Sequence, residues 1–293
     1  MEIVIELIKT VLLGIVEGIT EWLPISSTGH MILLNDLLRL RVSDGFWEMF
    51  EVVIQLGAIF AVVAIYFKKL WPFAAKNNVE SGNSLMSVAN VSLKKNTMTL
   101  WAKVIVAMLP AAVVGIPLDD FFDEHLHNSP VVAAALIVYG VLFIVVEYLN
   151  RNKTFDVESV DDIRFKRALG IGVFQALSLV PGTSRSGSTI LGASMLSVSR
   201  SAAAEFSFFL AVPVMLGASL LKSLKYVLAV ASGEEWFGGM EALFLIVGCA
   251  VAFVVSMAAI KFLTDFVKKH SFSAFGVYRI ILGIVVLAVY FIK

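Results

Sequence analysis

The sequence predicts an all-α polytopic membrane protein of six full transmembrane helices plus two re-entrant helical hairpins, with its halves arranged as an inverted-topology repeat. Three observations carry this. Hydrophobic residues make up 59% of the 293, mean hydropathy is +0.88, and only 16% are charged, against about 25% in soluble domains. Six apolar segments, residues 49–67, 100–118, 131–149, 204–221, 241–263 and 272–292, approach the length that a bilayer requires. Finally, two polar, glycine-bearing stretches break up apolar arms at 3–20 and 31–38 and at 168–180 and 190–198. Non-helical backbone at membrane depth is tolerated only where protein buries it or it lines a wet cavity, so each stretch reads as a hairpin tip.

In chain order, the first arm leads into Glu21-Trp22-Leu23-Pro24-Ile25-Ser26-Ser27-Thr28-Gly29-His30, and the short return arm follows. The arm carries Glu2, Glu6, Glu17 and Glu21 and has no basic start, so it is expected to remain as a helix and not to be cleaved as a signal. Lys and Arg counts orient the spans. Residues 68–99 hold five (Lys68, Lys69, Lys76, Lys94, Lys95), residues 150–167 hold five more, and 264–271 hold Lys268 and Lys269; these face the cytoplasm. Residues 119–130 hold no Lys or Arg and carry Asp119, Asp120, Asp123 and Glu124, so they face outward, as do both termini. Arg39, Arg41, Lys222 and Lys225 are mild exceptions on the outer side.

The whole chain, 1–293, reads as one integral-membrane domain with repeats over about 1–150 and 165–293 and cytoplasmic linkers over about 68–99 and 150–167. Gly14-Ile15-Val16-Glu17 leading to Pro24-Ile25-Ser26-Ser27-Thr28-Gly29 echoes Gly172-Val173-Phe174-Gln175 leading to Pro181-Gly182-Thr183-Ser184-Arg185-Ser186, and Glu51 is matched with Glu205. One hairpin plus three spans per half inverts the second half, so the tips enter from opposite faces and meet near the midplane. Formal net charge is zero, which gives no basic surplus for a nucleic-acid partner. The single Cys249 excludes an intrachain disulfide and a cysteine-based metal site.

The chemistry is expected where the tips meet. Arg185, among Ser184, Ser186 and Thr189 and ahead of a helix starting at Ser186 or Gly187, offers a fork of donors, hydroxyls and a helix N-terminus to an anion. The competing reading is an ion pair with Glu17 or Glu21 that only fastens the hairpins. Glu17 and Glu21, spaced i, i+4, place two carboxylates on one helix face. There they hold a divalent cation, meet an Arg, or leave one acid protonated; at a helix end they would simply face water. Ser26 or Ser27 could cap the next helix, which leaves His30 as an acid, base or nucleophile. Glu51, Gln55 and Glu205 are expected to support the site, with Arg279 as a partner for one of them, while Lys103 snorkels.

These motifs, Glu17-x-x-x-Glu21, Ser26-Ser27-Thr28-Gly29-His30 and Pro181-Gly182-Thr183-Ser184-Arg185-Ser186-Gly187-Ser188-Thr189, resemble those of the bacterial undecaprenyl-diphosphate phosphatases, the bacitracin-resistance protein family. The resemblance runs over nearly the whole chain, with the long polar stretch at 76–96 as the main departure. It implies a membrane enzyme of the bacterial cytoplasmic membrane that removes the terminal phosphate of a polyprenyl diphosphate lipid. Its site would open to the outer face, it would need Mg2+ or Ca2+, and its partners would be substrate, membrane lipid and a second copy in a homodimer. On this reading the catalytic set is Glu17, Glu21, Ser27, His30 and Arg185. Ser26, Thr28, Gly182, Thr183, Ser184, Ser186 and Thr189 bind substrate, and Glu17 and Glu21 hold the metal. Whether His30, Ser27 or water attacks stays open, and the alternative is a flippase for polyprenyl phosphate, because paired hairpins facing an anion are also a transporter plan.

Overall fold

A computed structural model describes residues 2–74, 85–88 and 91–292. Six helices are long and apolar enough to cross a membrane. They are α3 (Asp44–Ile65), α5 (Lys95–Leu126, apolar through Leu118), α6 (Ser129–Asn150), α9 (Arg200–Ser232), α10 (Gly239–Lys269) and α11 (Ser273–Ile292). Each corresponds to one predicted span: α5, α6, α9 and α10 contain theirs and run beyond it, α3 starts five residues earlier and ends two short, and α11 matches to within one residue. Five shorter helices complete the set: α1 (Glu2–Thr20), α2 (Ser27–Leu38), α4 (Phe67–Leu70), α7 (Phe165–Ala176) and α8 (Arg185–Met195). Two corrections concern the connections. The polar 68–99 segment carries α4 and an antiparallel hairpin of β1 (Leu85–Val88) and β2 (Val91–Lys94), the one departure from all-α structure among the described residues. Lys76 lies outside those residues. The acidic stretch after residue 118, expected only to face outward, continues α5 as helix to Leu126; the side chains of Asp119, Asp120 and Asp123 also lie outside the described set.

Contacts sort the helix ends into two groups. At one end Trp101 donates to the Leu70 carbonyl (2.9 Å), Lys103 to that of Asp161 (2.7 Å) and Asn150 to that of Ser194 (3.0 Å). Arg200 grips Glu147 with a bidentate fork there. At the other end Lys9 donates to the Arg39 carbonyl (2.9 Å) and Glu6 accepts from the Arg41 amide (2.9 Å). The first group gathers residues 68–69, 94–95, 151–167 and 268–269, which hold most of the Lys and Arg outside the spans. Hairpin α1–α2 starts and finishes at the second end, and α7–α8 at the first. The two hairpins therefore enter the bundle from opposite ends, with their tips in the middle.

The halves also repeat each other's packing. Helix α1 lies on α10 as α7 lies on α5, and α2 touches α11 as α8 touches α6. The echoed glycines account for the first pair. A Cβ on Gly14 would sit 2.8 Å from the Gly248 carbonyl oxygen, and one on Gly172 would press on the Ala107 carbonyl. Both remove a side chain where a hairpin backbone rides directly on its long neighbour. Gly172→Ala is expected to force α7 off α5 and destabilise the protein by about 1–3 kcal/mol, the usual cost of overpacking, read as a lower thermal unfolding midpoint in detergent.

Candidate active site

Each tip ends in a serine with a left-handed backbone that caps the returning helix. Ser26 (φ 74°) precedes α2 and accepts from the Gly29 amide at 3.3 Å; Ser184 (φ 69°) precedes α8 and accepts from the Gly187 amide at 3.2 Å. A left-handed non-glycine residue is strained and persists only where its surroundings fix it. Helix α8 thus begins at Arg185, one residue before the predicted start. These caps pair Ser26 with Ser184 and Pro24 with Gly182, so the tip echo runs one residue later than the sequence match of Pro24 with Pro181.

The predicted cluster assembles across the two tips. Arg185 donates Nε (3.2 Å) and Nη2 (3.0 Å) to Glu21 Oε1, and Nη1 (2.9 Å) to the Ser207 carbonyl on α9. Its guanidinium lies over the Trp22 ring at 5.9 Å. The other Glu21 oxygen accepts from Ser27 Oγ at 3.5 Å. Glu17, one turn back on α1, is 2% exposed, and its Oε1 has no hydrogen-bond partner among the described residues. It lies within electrostatic reach of Glu21, Glu51 and Arg185.

Beside this cluster is a cavity of about 510 Å³. Its lining combines polar side chains, Glu17, Ser27, Thr28, Glu51 and Gln55, with apolar ones, Met31, Ile32, Trp47 and Val52, and includes His127, Asn128 and Ser129 of the α5–α6 turn. A lipid headgroup with an apolar tail needs both kinds of lining in one cavity. Glu51 and Gln55 therefore stand where the sequence reading expects them. Glu205 does not: it pairs with Lys69 at 3.0 Å, at the Lys- and Arg-rich end of the bundle, because α9 enters from that end.

Other predicted residues stand differently. His30 meets the Ser26 carbonyl through Nδ1 (2.7 Å) and the Tyr278 hydroxyl through Nε2 (2.7 Å), so both ring nitrogens are engaged. Thr183, Ser186 and Thr189 are buried, and their hydroxyls bond within the protein. Thr183 donates to the Val180 carbonyl (2.8 Å), Ser186 to that of Glu21 (3.0 Å), and Thr189 shares a 2.6 Å bond with Ser207 Oγ. Their hydroxyls fix the tips, whereas Ser27 and Thr28 face the cavity.

Arg279 is the largest revision. The sequence reading expects a carboxylate or amide partner, Glu51, Gln55 or Glu205. The fully buried guanidinium instead donates to three backbone carbonyls, Pro24 (3.2 Å) on one tip and Gly182 (2.9 Å) and Thr183 (2.8 Å) on the other. It also lies over the Tyr139 ring at 5.4 Å. A lone arginine within the apolar 272–292 segment was the available signal. Nothing in the sequence marked Tyr278, Ser207 or the His127–Ser129 turn.

Fold and site together define a class: a polytopic α-helical membrane protein whose opposed hairpin tips bring a guanidinium and two carboxylates together beside a cavity lined by both polar and apolar side chains. Within that class, the chain belongs to the bacitracin resistance protein BacA family, which matches residues 10–285. It is 54% identical over 285 residues to an undecaprenyl-diphosphatase of Enterococcus faecalis, covering 97% of each chain. It is 52% identical to that of Acetivibrio thermocellus, over 96% of this chain and 97% of the relative. The undecaprenyl-diphosphatase 1 of Clostridioides difficile is also 52% identical, with 98% and 97% covered.

Proposed function

We propose that this protein is an integral-membrane undecaprenyl-diphosphatase that releases the terminal phosphate of undecaprenyl diphosphate, recycling the lipid carrier for cell-wall synthesis and thereby conferring bacitracin resistance. The observation that carries the reading is the Arg185–Glu21–Ser27 chain of contacts beside a cavity lined by both polar and apolar side chains. It agrees with the activity in the names of relatives that match almost end to end.

The diphosphate enters this cavity with its prenyl chain along Met31, Ile32, Trp47 and Val52. Arg185 exchanges Glu21 for the terminal phosphoryl oxygens, where its planar fork stabilises the charge of the transferred group. Ser27 Oγ attacks the terminal phosphorus and passes its proton to Glu21; the bond from phosphorus to the bridging oxygen breaks, and undecaprenyl phosphate leaves. Water then hydrolyses the phosphoserine to regenerate Ser27 and free phosphate. His30, bonded to Ser26 and Tyr278, holds the start of α2 in place in this scheme.

Because Glu21 is engaged by Arg185 and Ser27, the carboxylates available to a divalent cation are Glu17, with its unpartnered oxygen, and Glu51, which lines the same cavity. Mg2+ is commonly held by one or two carboxylates together with substrate phosphates, so the residues fit. Such a cation would neutralise diphosphate charge. The cavity lining includes the α5–α6 turn, at the end of the bundle poorer in Lys and Arg; by the positive-inside rule this supports an opening to the outer face.

The test is phosphate release from undecaprenyl diphosphate by purified protein in detergent, with and without chelator. Release is expected, with loss under chelation and recovery on adding Mg2+ or Ca2+. A flippase without phosphatase activity would release none, because detergent leaves no second compartment.

A further inference from the structure

Arg279 stands outside the reaction scheme, yet among the described residues it is the one side chain bonded to the backbone of both tips. Its two terminal nitrogens reach Pro24 in the first hairpin and Gly182 and Thr183 in the second. Among the described residues no carboxylate pairs with it, and it is fully buried. A buried guanidinium is costly in an apolar setting unless its donors are satisfied; here both terminal nitrogens are engaged, while Nε has no partner among the described residues. A packing role alone would be met by an apolar side chain; what an apolar side chain cannot do is tie two non-helical turns from different halves to one rigid plane. The neighbourhood is shaped around that plane. Tyr139 lies under it, and a Cβ on Gly187 would fall 2.7 Å from Nη1, so the first turn of α8 has room for the guanidinium only as glycine.

We propose that Arg279 is a positioning residue for the phosphatase reaction: it locks the two tips in register and so sets Arg185 opposite Glu21 and Ser27. This rests on the phosphatase reading for its kinetic consequence, though not for its structural one. Lysine cannot substitute, because an ammonium is a point charge without the planar fork that spans three carbonyls and stacks on Tyr139.

The experiment compares wild type, Arg279→Lys and Gly187→Ala, purified in detergent, by thermal unfolding and by phosphate release against undecaprenyl diphosphate concentration. Arg279→Lys is expected to lower kcat of the folded protein about 100-fold, the cost of misplacing reacting groups by about 1 Å, with KM within about threefold of wild type. Gly187→Ala keeps the charge but pushes the guanidinium aside, and is expected to give the same loss; it is the deciding variant if Arg279→Lys does not fold. A folded variant with kcat within about threefold of wild type overturns the proposal, since a purely structural residue changes yield and unfolding midpoint but not the turnover of folded molecules. A second readout needs no activity. The coupling between Arg185 and Glu21, measured as a double-mutant cycle in thermal unfolding, is expected to vanish when the cycle is repeated with Arg279→Lys, or with Gly187→Ala if the lysine variant does not fold. Full coupling in that background overturns the proposal, while the wild-type rate tests the phosphatase reading separately.

Discussion

Arg185→Ala is expected to slow phosphate release about 10³-fold, the low end of what a transition-state arginine contributes in phosphoryl transfer, and also to lower the unfolding midpoint. Both effects come from one pair. The Arg185 and Glu21 side chains are 10% and 9% exposed and meet at 3.0 Å, so removing the arginine leaves a nearly buried carboxylate facing Ser27 alone. Breaking a buried pair from one side costs about 3–5 kcal/mol, whereas removing both partners is often close to neutral. The double variant Glu21→Ala/Arg185→Ala should therefore recover most of the midpoint lost by Arg185→Ala. It should recover none of the activity, because the phosphoryl group then has neither its cation nor the acceptor for the Ser27 proton. Rates and midpoints on wild type, both single variants and the double variant separate a catalytic pair from a fastening: near-wild-type release by either single variant means that the pair only holds the hairpins together.

What could be read from the sequence follows from how locally each feature is encoded. The six spans depend on uninterrupted apolar runs, so each appears within a few residues of its predicted place apart from the long extensions of α5, α9 and α10. The tips were visible as Gly-, Ser- and Pro-bearing breaks. Glu17, Glu21 and Arg185 stood out because charge is expensive inside an apolar run. The functions of hydroxyls were not legible. Thr183, Ser186 and Thr189 look like ligands in a motif, but their acceptors are carbonyls set by the turn and a serine on α9, which only the fold brings close. The expectation that Glu205 supports the site alongside Glu51 failed for a related reason: in an inverted repeat the start of α9 lies at the opposite end of the bundle from the start of α3, so matched residues do not share a site there. Arg279 shows the opposite limit. Its burial was predictable, but its partners are backbone atoms, and these leave no trace in composition or spacing.

Glu17→Gln is expected to raise the unfolding midpoint while lowering phosphate release about 10²-fold, a trade typical of residues kept for function at a cost to stability. Glu17 is buried with one oxygen unpartnered, and the charges of Glu21 and Glu51 face it. The protein carries its own control for the substitution. Gln175 holds the equivalent place on α7, following Gly172 as Glu17 follows Gly14; it is 1% exposed, and neither amide atom has a partner among the described residues. A neutral amide is thus already accommodated at this position in the half that supplies Arg185. Removing the like-charge repulsion should raise the midpoint by about 2–4 °C, the response of a large domain to about 1 kcal/mol. The activity lost should be the part that depends on added divalent cation, since an amide is a weak ligand for Mg2+ beside a carboxylate. Titrating Mg2+ against the release rate of both proteins checks this: the wild-type rate should climb with the cation and that of Glu17→Gln should stay nearly flat. A Glu17→Gln enzyme with an unchanged Mg2+ response, or with a lowered midpoint, would mean that Glu17 supports the fold and leaves the chemistry to Glu21 and Ser27.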